Sequence, residues 1–382
     1  MADSGKQVHG IMADPGPGPF SSPHPDRFDE WLRAPAPLES THPLFDIRRA
    51  LPAEFDRIYD LVDDTFGVKR PRAVYEWLYR KNPYGAARCW LVIERLSGRL
   101  LGSSALWPWP LARGAAKLEG TLGGDSVIAS GFQRQGLAAL RGDVAQSHAW
   151  RKTKITFSWP NDKSQRRASK RGRALLGPVP LAILLIDTKA YLAERGWPPI
   201  VSTAGGMVAD SALKLWRGIN LRSDRGMRIE AIRHFDGAFD EVTQRHMAWP
   251  EFWLPHTADF LNWRYLDHPT GQYAAFALLA GDALAGYAVL RLAGHAAWLM
   301  EFVTSNDGAR TLLRHVVRTA RAAGSTHVRF SAPIAWRHWG LLRAAGFVSI
   351  PSKDFLWISA VDDPEPKQFD RWQWVPGDMD VL

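Results

Sequence analysis

Hydrophobic and polar positions divide the chain into an aperiodic start and two patterned halves. Residues 1–43 hold eight prolines and few aliphatic side chains, and such a stretch cannot bury enough apolar area to offset the entropy of ordering it. It reads as a flexible tail, in which Phe28, Trp31 and Leu32 are spaced to dock as one helical turn. From residue 44 onward the pattern predicts order. Phe45 to Ala50 reads as a strand, and Ala53 to Phe66 carries its apolar residues at helical spacing. Strands follow at Trp90–Glu94, Leu100–Trp107, Ser126–Ala129 and Lys154–Ser158, with helices at Leu137–Trp150 and from Asn161 to Gly172. The longest apolar run, Pro180 to Ile186, falls short of the roughly 20 residues that span a bilayer and reads as a buried strand.

The second half repeats the first. Trp77-x-Tyr79-x-x-x-Pro83 recurs as Trp263-x-Tyr265-x-x-x-Pro269. Each copy leads into two strands, in the second case Ala274–Leu279 and Leu284–Leu292, and then into a strand that bears an acid and a valine, Asp125-Ser-Val127 or Glu301-Phe-Val303. A helix, a strand and a closing helix ending at Gly172 or Gly346 complete each copy. Matching element order over this length argues for a duplicated domain. The second copy starts at Met227–Phe235 with the helix Gly237–Met247, and Arg195 to Gly226, with Pro198-Pro199, reads as the connection. The expected organisation is a tail (1–43), a first unit (44–194), a connection (195–226), a second unit (227–362) and an extension (363–382). Trp77 and Trp263 are expected to pack helices on sheets.

Candidate chemistry lies where Ser126–Ala129 runs through Gln133-Arg134-Gln135-Gly136-Leu137-Ala138 into a helix. A strand, a glycine turn and a helix start present unpaired N–H groups and the positive end of the helix dipole to one small volume, which suits a pyrophosphate. Trp159-Pro160-Asn161 follows the next strand, with Ser164, Ala168 and Gly172 three, seven and eleven residues beyond Asn161. Together the two segments resemble motifs A and B of the GNAT superfamily of acyl-CoA-dependent N-acyltransferases. The resemblance implies an α/β (α+β) fold of two tandem GNAT-like domains, each a mixed, mostly antiparallel sheet flanked by helices. It also implies a coenzyme A pyrophosphate on the R/Q-x-x-G-x-G/A loop, matched by Gln133, Gly136 and Ala138, and a pantetheine arm along Asn161 and Ser164. Ala168 departs from the pattern: many members carry a tyrosine there that protonates the leaving thiolate, and alanine has no such proton.

The second copy reads Ser305-Asn306-Asp307-Gly308-Ala309 where the first has its glycine loop, and Ala335 where the first has Asn161. Asp307 would repel a pyrophosphate. The second domain is therefore expected to bind no coenzyme A, and to complete the acceptor cleft and cover one face of the first domain. Gly346-Phe347 does resemble the G-F that closes motif B.

Within an acyl transfer the amine must be neutral, the thioester held beside it and the oxyanion supported. The polarising N–H is expected from the strand near Ile128 and Ala129. Asp125, just upstream of the loop, is the candidate base, with Glu119 second; each is otherwise a surface acid on a strand. Trp107 and Trp109 are candidate platforms for a sugar or other flat acceptor surface, and Trp159 a wall of the pantetheine tunnel. The ending Trp372-Gln-Trp374 is expected to pack on a domain, with Asp378 and Asp380 solvated or facing the cleft.

Charge and cysteine content sharpen the picture. The chain has 382 residues, a formal net charge of +9 and one cysteine, Cys89, which excludes a disulfide framework and a cysteine-based zinc site. No His-x-x-x-His pair falls on a predicted helix, so no metal is expected. Met1–Gly10 is not followed by a signal-peptide apolar region, and the cytoplasm is the default. Arg151 to Arg173 contains nine Lys and Arg against one acid, a run that serves coenzyme A phosphates, a polyanionic acceptor or only a solvated helix face. The readings that remain are an N-acyltransferase acting on a primary amine of a small or sugar-linked acceptor, an aminoacyl-tRNA-dependent transferase resembling the FemABX enzymes, and a non-catalytic acyl-CoA or partner-binding module.

Overall fold

A computed structural model of the protein describes residues 38–148, 155–161, 164–166, 174–221, 226–248, 251–333, 336–352, 355–360 and 368–379. In chain order these form β1 (Leu38–Thr41), β2 (Phe45–Arg49), α1 (Phe55–Phe66), α2 (Arg72–Tyr79), β3 (Arg88–Glu94), β4 (Leu100–Arg113), β5 (Ala116–Ile128), α3 (Leu137–His148), β6 (Ile155–Ser158), β7 (Ala174–Pro178) and β8 (Leu181–Leu185). A helical connection of α4 (Thr188–Glu194) and α5 (Gly206–Asn220) follows. The chain then forms β9 (Met227–Ala231), α6 (Gly237–Met247), β10 (Phe252–Trp253), α7 (Ala258–Leu261), β11 (Tyr273–Ala280), β12 (Ala283–Ala293) and β13 (Ala296–Thr304). It closes with α8 (Asn306–Ala322), β14 (His327–Ser331), α9 (Trp339–Ala344), β15 (Val348–Ile350), β16 (Phe355–Ala360) and β17 (Trp372–Gln373). The N-terminal 37 residues, Ala168, Gly172, Ala335, Asp380 and most of the basic run lie outside the described residues.

Local rules account for the elements. Helix α1 buries Phe55, Ile58, Tyr59 and Val62, one stripe at helical spacing, and stops at Gly67, whose φ of 66° gives the left-handed C-cap that glycine adopts freely. Helix α6 starts at Asp236, whose carboxylate accepts from the Ala238 N–H. Strand β4 runs six residues beyond its expected end and carries Pro108 and Pro110 in its middle. It tolerates them because β3 has already ended opposite Leu106. The Pro108 carbonyl faces that vacated edge and accepts from Asn82 Nδ2 at 2.8 Å, so the missing proline N–H removes no ladder bond.

Two sheets result, both mixed and mostly antiparallel. One is ordered β1-β2-β3-β4-β5-β6-β16-β7, with β10 and β17 on an edge of β4, and the other β15-β8-β14-β13-β12-β11-β9. Helix α3 covers one face of the first sheet over Phe45, Ile47, Trp90, Leu101 and Ile128. The opposite face, with α1 and α2, shares one core with residues of the second half, including Phe235, Phe260, Trp263 and Tyr287.

The sheets exchange strands, which a boundary at 194 does not anticipate. Strand β8, expected in the first unit, lies between β15 and β14 of the second sheet, and β16 of the second half lies between β6 and β7 of the first. Only Val179 and Pro180 separate β7 from β8. Proline cannot donate to a ladder, so the chain leaves one sheet at Pro178 and enters the other at Leu181.

The repeated tryptophans meet each other rather than only their own sheets. The rings of Trp77 and Trp263 stack 4.6 Å apart at 16°. Trp77 Nε1 donates to the Trp263 carbonyl at 2.7 Å, and Trp263 Nε1 to the Trp77 carbonyl at 3.1 Å. A reciprocal contact between equivalent positions is the signature of a local two-fold axis relating the two copies.

Candidate active site

Strands β5 and β6 are parallel and pair over only three positions, Gly120 with Ile155 through Leu122 with Phe157. Beyond them the strands part. Strand β5 continues along β4 to Ile128, so its other edge, from Gly123 onward, borders an opening. Within this stretch the register with β4 shifts between Ser103 and Ala105, and Asp125 takes a φ of 40°. A β-bulge of this kind bends the strand and re-aims its side chains. Gly124 is obligatory there, because a Cβ would lie 2.2 Å from the Trp107 indole.

Eight residues, 129 to 136, link β5 to α3. Gly131 at φ 79°, Arg134 at 67° and Gly136 at 81° are all left-handed, and a Cβ on either glycine would meet nothing within 4 Å. The loop is thus tightly curled and open above its glycines. The Gly136 carbonyl takes the Ala139 and Leu140 N–H groups, which starts α3 and leaves Leu137 and Ala138 as first-turn donors. Gln133 Nε2 bonds the Ile128 carbonyl at 3.2 Å, and Gln135 Nε2 the Gly131 carbonyl at 3.3 Å. These glutamines hold the loop's own backbone. Asn161 does likewise, its Oδ1 accepting from the Ser164 N–H at 3.0 Å.

The Ala129 N–H, one of the two expected to polarise a carbonyl, is already donated to the Leu101 carbonyl at 2.7 Å. Strand alternation turns the Ile128 amide to the opposite, open edge. The donor expected near these two residues therefore narrows to Ile128. Arg141, one turn into α3, is 4% exposed and reaches the bulge: Nη1 bonds the Val127 carbonyl at 3.0 Å and also the Ser103 carbonyl, and Nη2 bonds Ser126 Oγ at 2.7 Å. It supplies donors where the shifted register interrupts the β4–β5 ladder.

Asp125 is not a free surface acid. It is buried and accepts from Arg70 Nη1 at 3.0 and 3.1 Å and from Tyr79 OH at 2.8 Å. Burial pushes its carboxyl pKa up, against the pull of Arg70 and Tyr79. Arg70 is in turn placed by Asp63, which accepts from the Arg70 N–H and from Tyr75 OH. Glu119 is exposed and six residues upstream on β5, roughly 20 Å from Asp125 at about 3.3 Å per residue. The structure does not bring these two acids together.

Trp107 and Trp109 are corrected from cleft platforms to core: they are 0% and 3% exposed. Trp107 packs on Tyr79 and Gly124, and Trp109 on Phe260 and Trp263. Trp159 is half-buried just beyond β6, with its ring 4.9 Å from Trp374 and its Nε1 donating to the Asp378 carbonyl at 3.0 Å. Asp378, expected in solvent or the cleft, is fully buried. It accepts from Trp109 Nε1 at 3.2 Å and the Val375 N–H at 3.0 Å, and its Oδ1 lies 2.7 Å from His256 Nε2. His256 Nδ1 lies 2.9 Å from Glu301, which also accepts from Tyr265 OH. Burial alone would depress the imidazole, but Asp378 and Glu301 hold its pKa at about 10, so it is an imidazolium. Arg264, also buried, bonds the Gly377 and Met379 carbonyls. Two carboxylates and two cations make this buried cluster neutral, the condition under which buried charge is tolerated. Gly377 is obligatory here too, since a Cβ would lie 2.2 Å from both Glu301 Oε1 and Tyr265 OH.

Glu301 in the second sheet thus stands where Asp125 stands in the first, each bonded by the tyrosine of its W-x-Y repeat. The two repeats and the two acids were visible in the sequence, but nothing local pairs one with the other. Arg70, Arg141 and His256 carried no motif at all.

The second sheet has the corresponding opening, between β13 and β14, which pair only from Ala296–His327 to Trp298–Arg329. It is filled. Trp336 and His338 are each 2% exposed, with ring centroids 6.2 and 5.8 Å from Phe302. Burial and then Arg337 lower the His338 pKa to about 4, which keeps its ring neutral. One residue, Ser305, separates β13 from α8, and a Cβ at Gly308 would lie 2.3 Å from Leu278 Cδ2. The helix start is pressed on the sheet, and Asp307 in its first turn occupies the dipole's positive end.

A cleft of about 400 Å³ lies beside the first opening, between α1 and the β3–β4 turn, lined by Arg57, Asp60, Asp64, Arg99, Ala129 and Ser130 among others. Among the described residues, no helix is long and apolar enough to cross a membrane.

No protein-family model and no curated protein matches the chain. Among solved structures it is similar to a conserved Enterococcus faecalis V583 protein described as a probable N-acyltransferase, at 12% identity and a TM-score of 0.59 over 83% of this chain and 72% of that one. It is also similar to GCN5-related N-acetyltransferases from Anabaena variabilis (13% identity, TM-score 0.58, 83% and 73% covered) and Kribbella flavida (14%, 0.54, 85% and 74%). The chain shares the fold of these N-acyltransferase and N-acetyltransferase structures.

Proposed function

We propose that the protein is an N-acyltransferase that takes an acyl group from acyl-CoA in the opening between β5 and β6 and passes it to a primary amine on a small or sugar-linked acceptor. The observation that carries this reading is the parting of β5 from β6 beside a curled loop with three left-handed residues, at the start of a twelve-residue helix. The loop's shape and open glycines fit a pyrophosphate, which would bond the Leu137 and Ala138 amides at the helix N-terminus. Acyl-CoA brings an activated carbonyl and a thiolate leaving group. The chain's part is to orient that carbonyl toward the Ile128 amide and to admit a neutral amine.

In this reading Asp125 is a positioning residue. Its hydrogen bonds to Arg70 and Tyr79 hold the bulge that aims the open edge of β5. The neighbouring cleft carries both signs, with Asp60 and Asp64 beside Arg57 and Arg99 and with Asp60 paired to Arg72, so its charge does not select the acceptor. The second domain contributes the shared core and, through Asp378, the backing of Trp159.

Calorimetric titration with acetyl-CoA, on the wild-type protein and on Gly136→Glu, tests the site. Binding that the variant loses supports it, and equal binding by both would remove the loop from the site. Release of free thiol with a panel of amines then tests the reaction itself; binding without turnover on any amine would leave only the acyl-CoA-holding function.

A further inference from the structure

Helix α5 is amphipathic in the inverted sense. Its inward face carries Asp210, which accepts from the Thr188 N–H at 2.8 Å and so caps α4, and Arg217, which bonds the Leu185 and Ala345 carbonyls. Its outward face is apolar. Val201, in the turn that leads into α5, is 42% exposed, Val208 72%, Leu215 70% and Ile219 60%. With Gly205 and Ala212 these residues form a stripe with steps of four and three, the seam of a coiled coil. The stripe runs over 19 residues, about 28 Å at 1.5 Å per residue. Contiguous apolar surface of this kind marks an interface in a soluble domain.

Gly205 identifies what covers it. Its φ of −63° is ordinary helix, which any residue adopts, and a Cβ there would meet nothing within 4 Å. Neither backbone conformation nor packing against the described residues calls for glycine, which weakens a helix relative to alanine. Its neighbour Gly206 differs, because a Cβ there would strike Lys189 at 2.6 Å. An antiparallel copy of the same stripe supplies the missing reason. A two-fold axis near residue 210 sets Leu215 against Gly205, Val208 against Ala212 and Val201 against Ile219, so that in two of the three layers a large side chain meets a small one. A membrane surface fits less well, since Lys214 is the only exposed cation between 201 and 220, whereas interfacial helices carry basic polar faces.

We propose that α5 is a homodimer interface, with two copies of the chain packed antiparallel through this stripe. The interface is isologous, and the seam lies on the second sheet's side of the molecule, where Arg217 and Trp216 tie α5 to α9 and β8.

Sedimentation equilibrium of the full chain at tens of micromolar should show a dimer. Gly205→Leu has open space in the monomer but fills the room that Leu215 of the partner subunit would take, so it should weaken the dimer at least tenfold while the far-UV circular dichroism of a folded chain is retained. Val208→Glu with Leu215→Glu should give a monomer. Cys89 is the chain's one cysteine and is buried, so oxidising a mixture of Val208→Cys and Ala212→Cys chains should join the two types by a disulfide. A wild-type monomer, a monomer that instead sediments with anionic vesicles, or a dimer unaffected by Gly205→Leu and the double glutamate variant would each overturn the proposal.

Discussion

The two openings in the sheets start from the same topology and reach opposite states. In each, two parallel strands pair over three positions and then part. In the first, eight residues separate strand from helix; in the second, one residue does. The length of that link decides what the opening can hold. A curled loop with left-handed glycines leaves open space above Gly131 and Gly136 ahead of the helix start, while a direct junction presses Gly308 onto Leu278 and lets Trp336 and His338 fill the gap. The acids show the same contrast. Asp125 is bonded by an arginine that is 23% exposed, whereas Glu301 is sealed in a neutral buried cluster. One half keeps an opening beside its loop, and the other fills the equivalent positions with buried side chains.

The sharpest way to break this contrast is His256→Ala. Removing the imidazolium leaves Asp378 and Glu301 buried with Arg264 as the remaining cation, and truncating one member of a buried ionic cluster costs about 3–5 kcal/mol. Urea denaturation should show that loss. The pH dependence follows from the same group. The imidazole titrates near 6.5 when unfolded and at about 10 when native, so its contribution is complete below about 6.5, declines as pH rises and is gone above about 10. His256→Gln should flatten the wild-type fall in stability over that window. A wild-type melting temperature that does not decline more steeply than the variant's would show that the imidazole is neutral in the folded protein.

Trp336→Ala tests whether the second opening is merely plugged. Emptying a fully packed tryptophan site costs about 3 kcal/mol. If the plug alone kept acyl-CoA out, the variant would gain a second binding site. With Ser305 as the whole link and Asp307 at the helix start, it should not, and calorimetry should return the wild-type stoichiometry. A second equivalent bound would show that the plug, not the link, makes the difference.

On the other side of the comparison, Gly136→Glu places a side chain and a negative charge over the loop at a φ of 81°. Acetyl-CoA affinity should fall at least about a hundredfold, roughly 2.7 kcal/mol. The same change at Gly308 would damage folding instead, because a Cβ there has no room.

Much of this was legible in the sequence because it is local. The loop, the helix after it, the W-x-Y repeats and the absence of a second loop all lie within short windows, although the strand into the loop starts ten residues before the expected Ser126 and β4 ends six residues after Trp107. What was not legible depends on distant partners. Nothing in Leu181–Leu185 states that it pairs with His327–Ser331 rather than with its own half, nor in Asp378 that His256, 122 residues away, will hold it. Trp107 and Trp109 read as cleft platforms because they follow a predicted strand and precede a turn. Their prolines instead sit on an edge that β3 has vacated, and the rings go inward.

The smallest expected effects make the finest comparison. Tyr79 and Tyr265 occupy the same place in the repeat, and each donates to the acid of its own copy. Replacing either with phenylalanine removes a hydrogen bond to a carboxylate, worth about 1.5–3 kcal/mol when the acceptor is charged. The environments should separate the two. After Tyr79→Phe, Asp125 still has Arg70 on both oxygens, at 3.0 and 3.1 Å, and the partly exposed arginine can readjust. After Tyr265→Phe, Glu301 Oε1 keeps its contact with His256 at 2.9 Å, and the carboxylate stays fully buried. We expect the first to lose about 1 kcal/mol and the second about 2, by urea denaturation at neutral pH. Tyr79→Phe should also slow acylation, since it loosens the bulge that aims β5, and Tyr265→Phe should not. Equal losses in stability and equal rates would mean that the two copies hold their acids for the same purpose, and that the contrast between site and structure does not extend below the openings themselves.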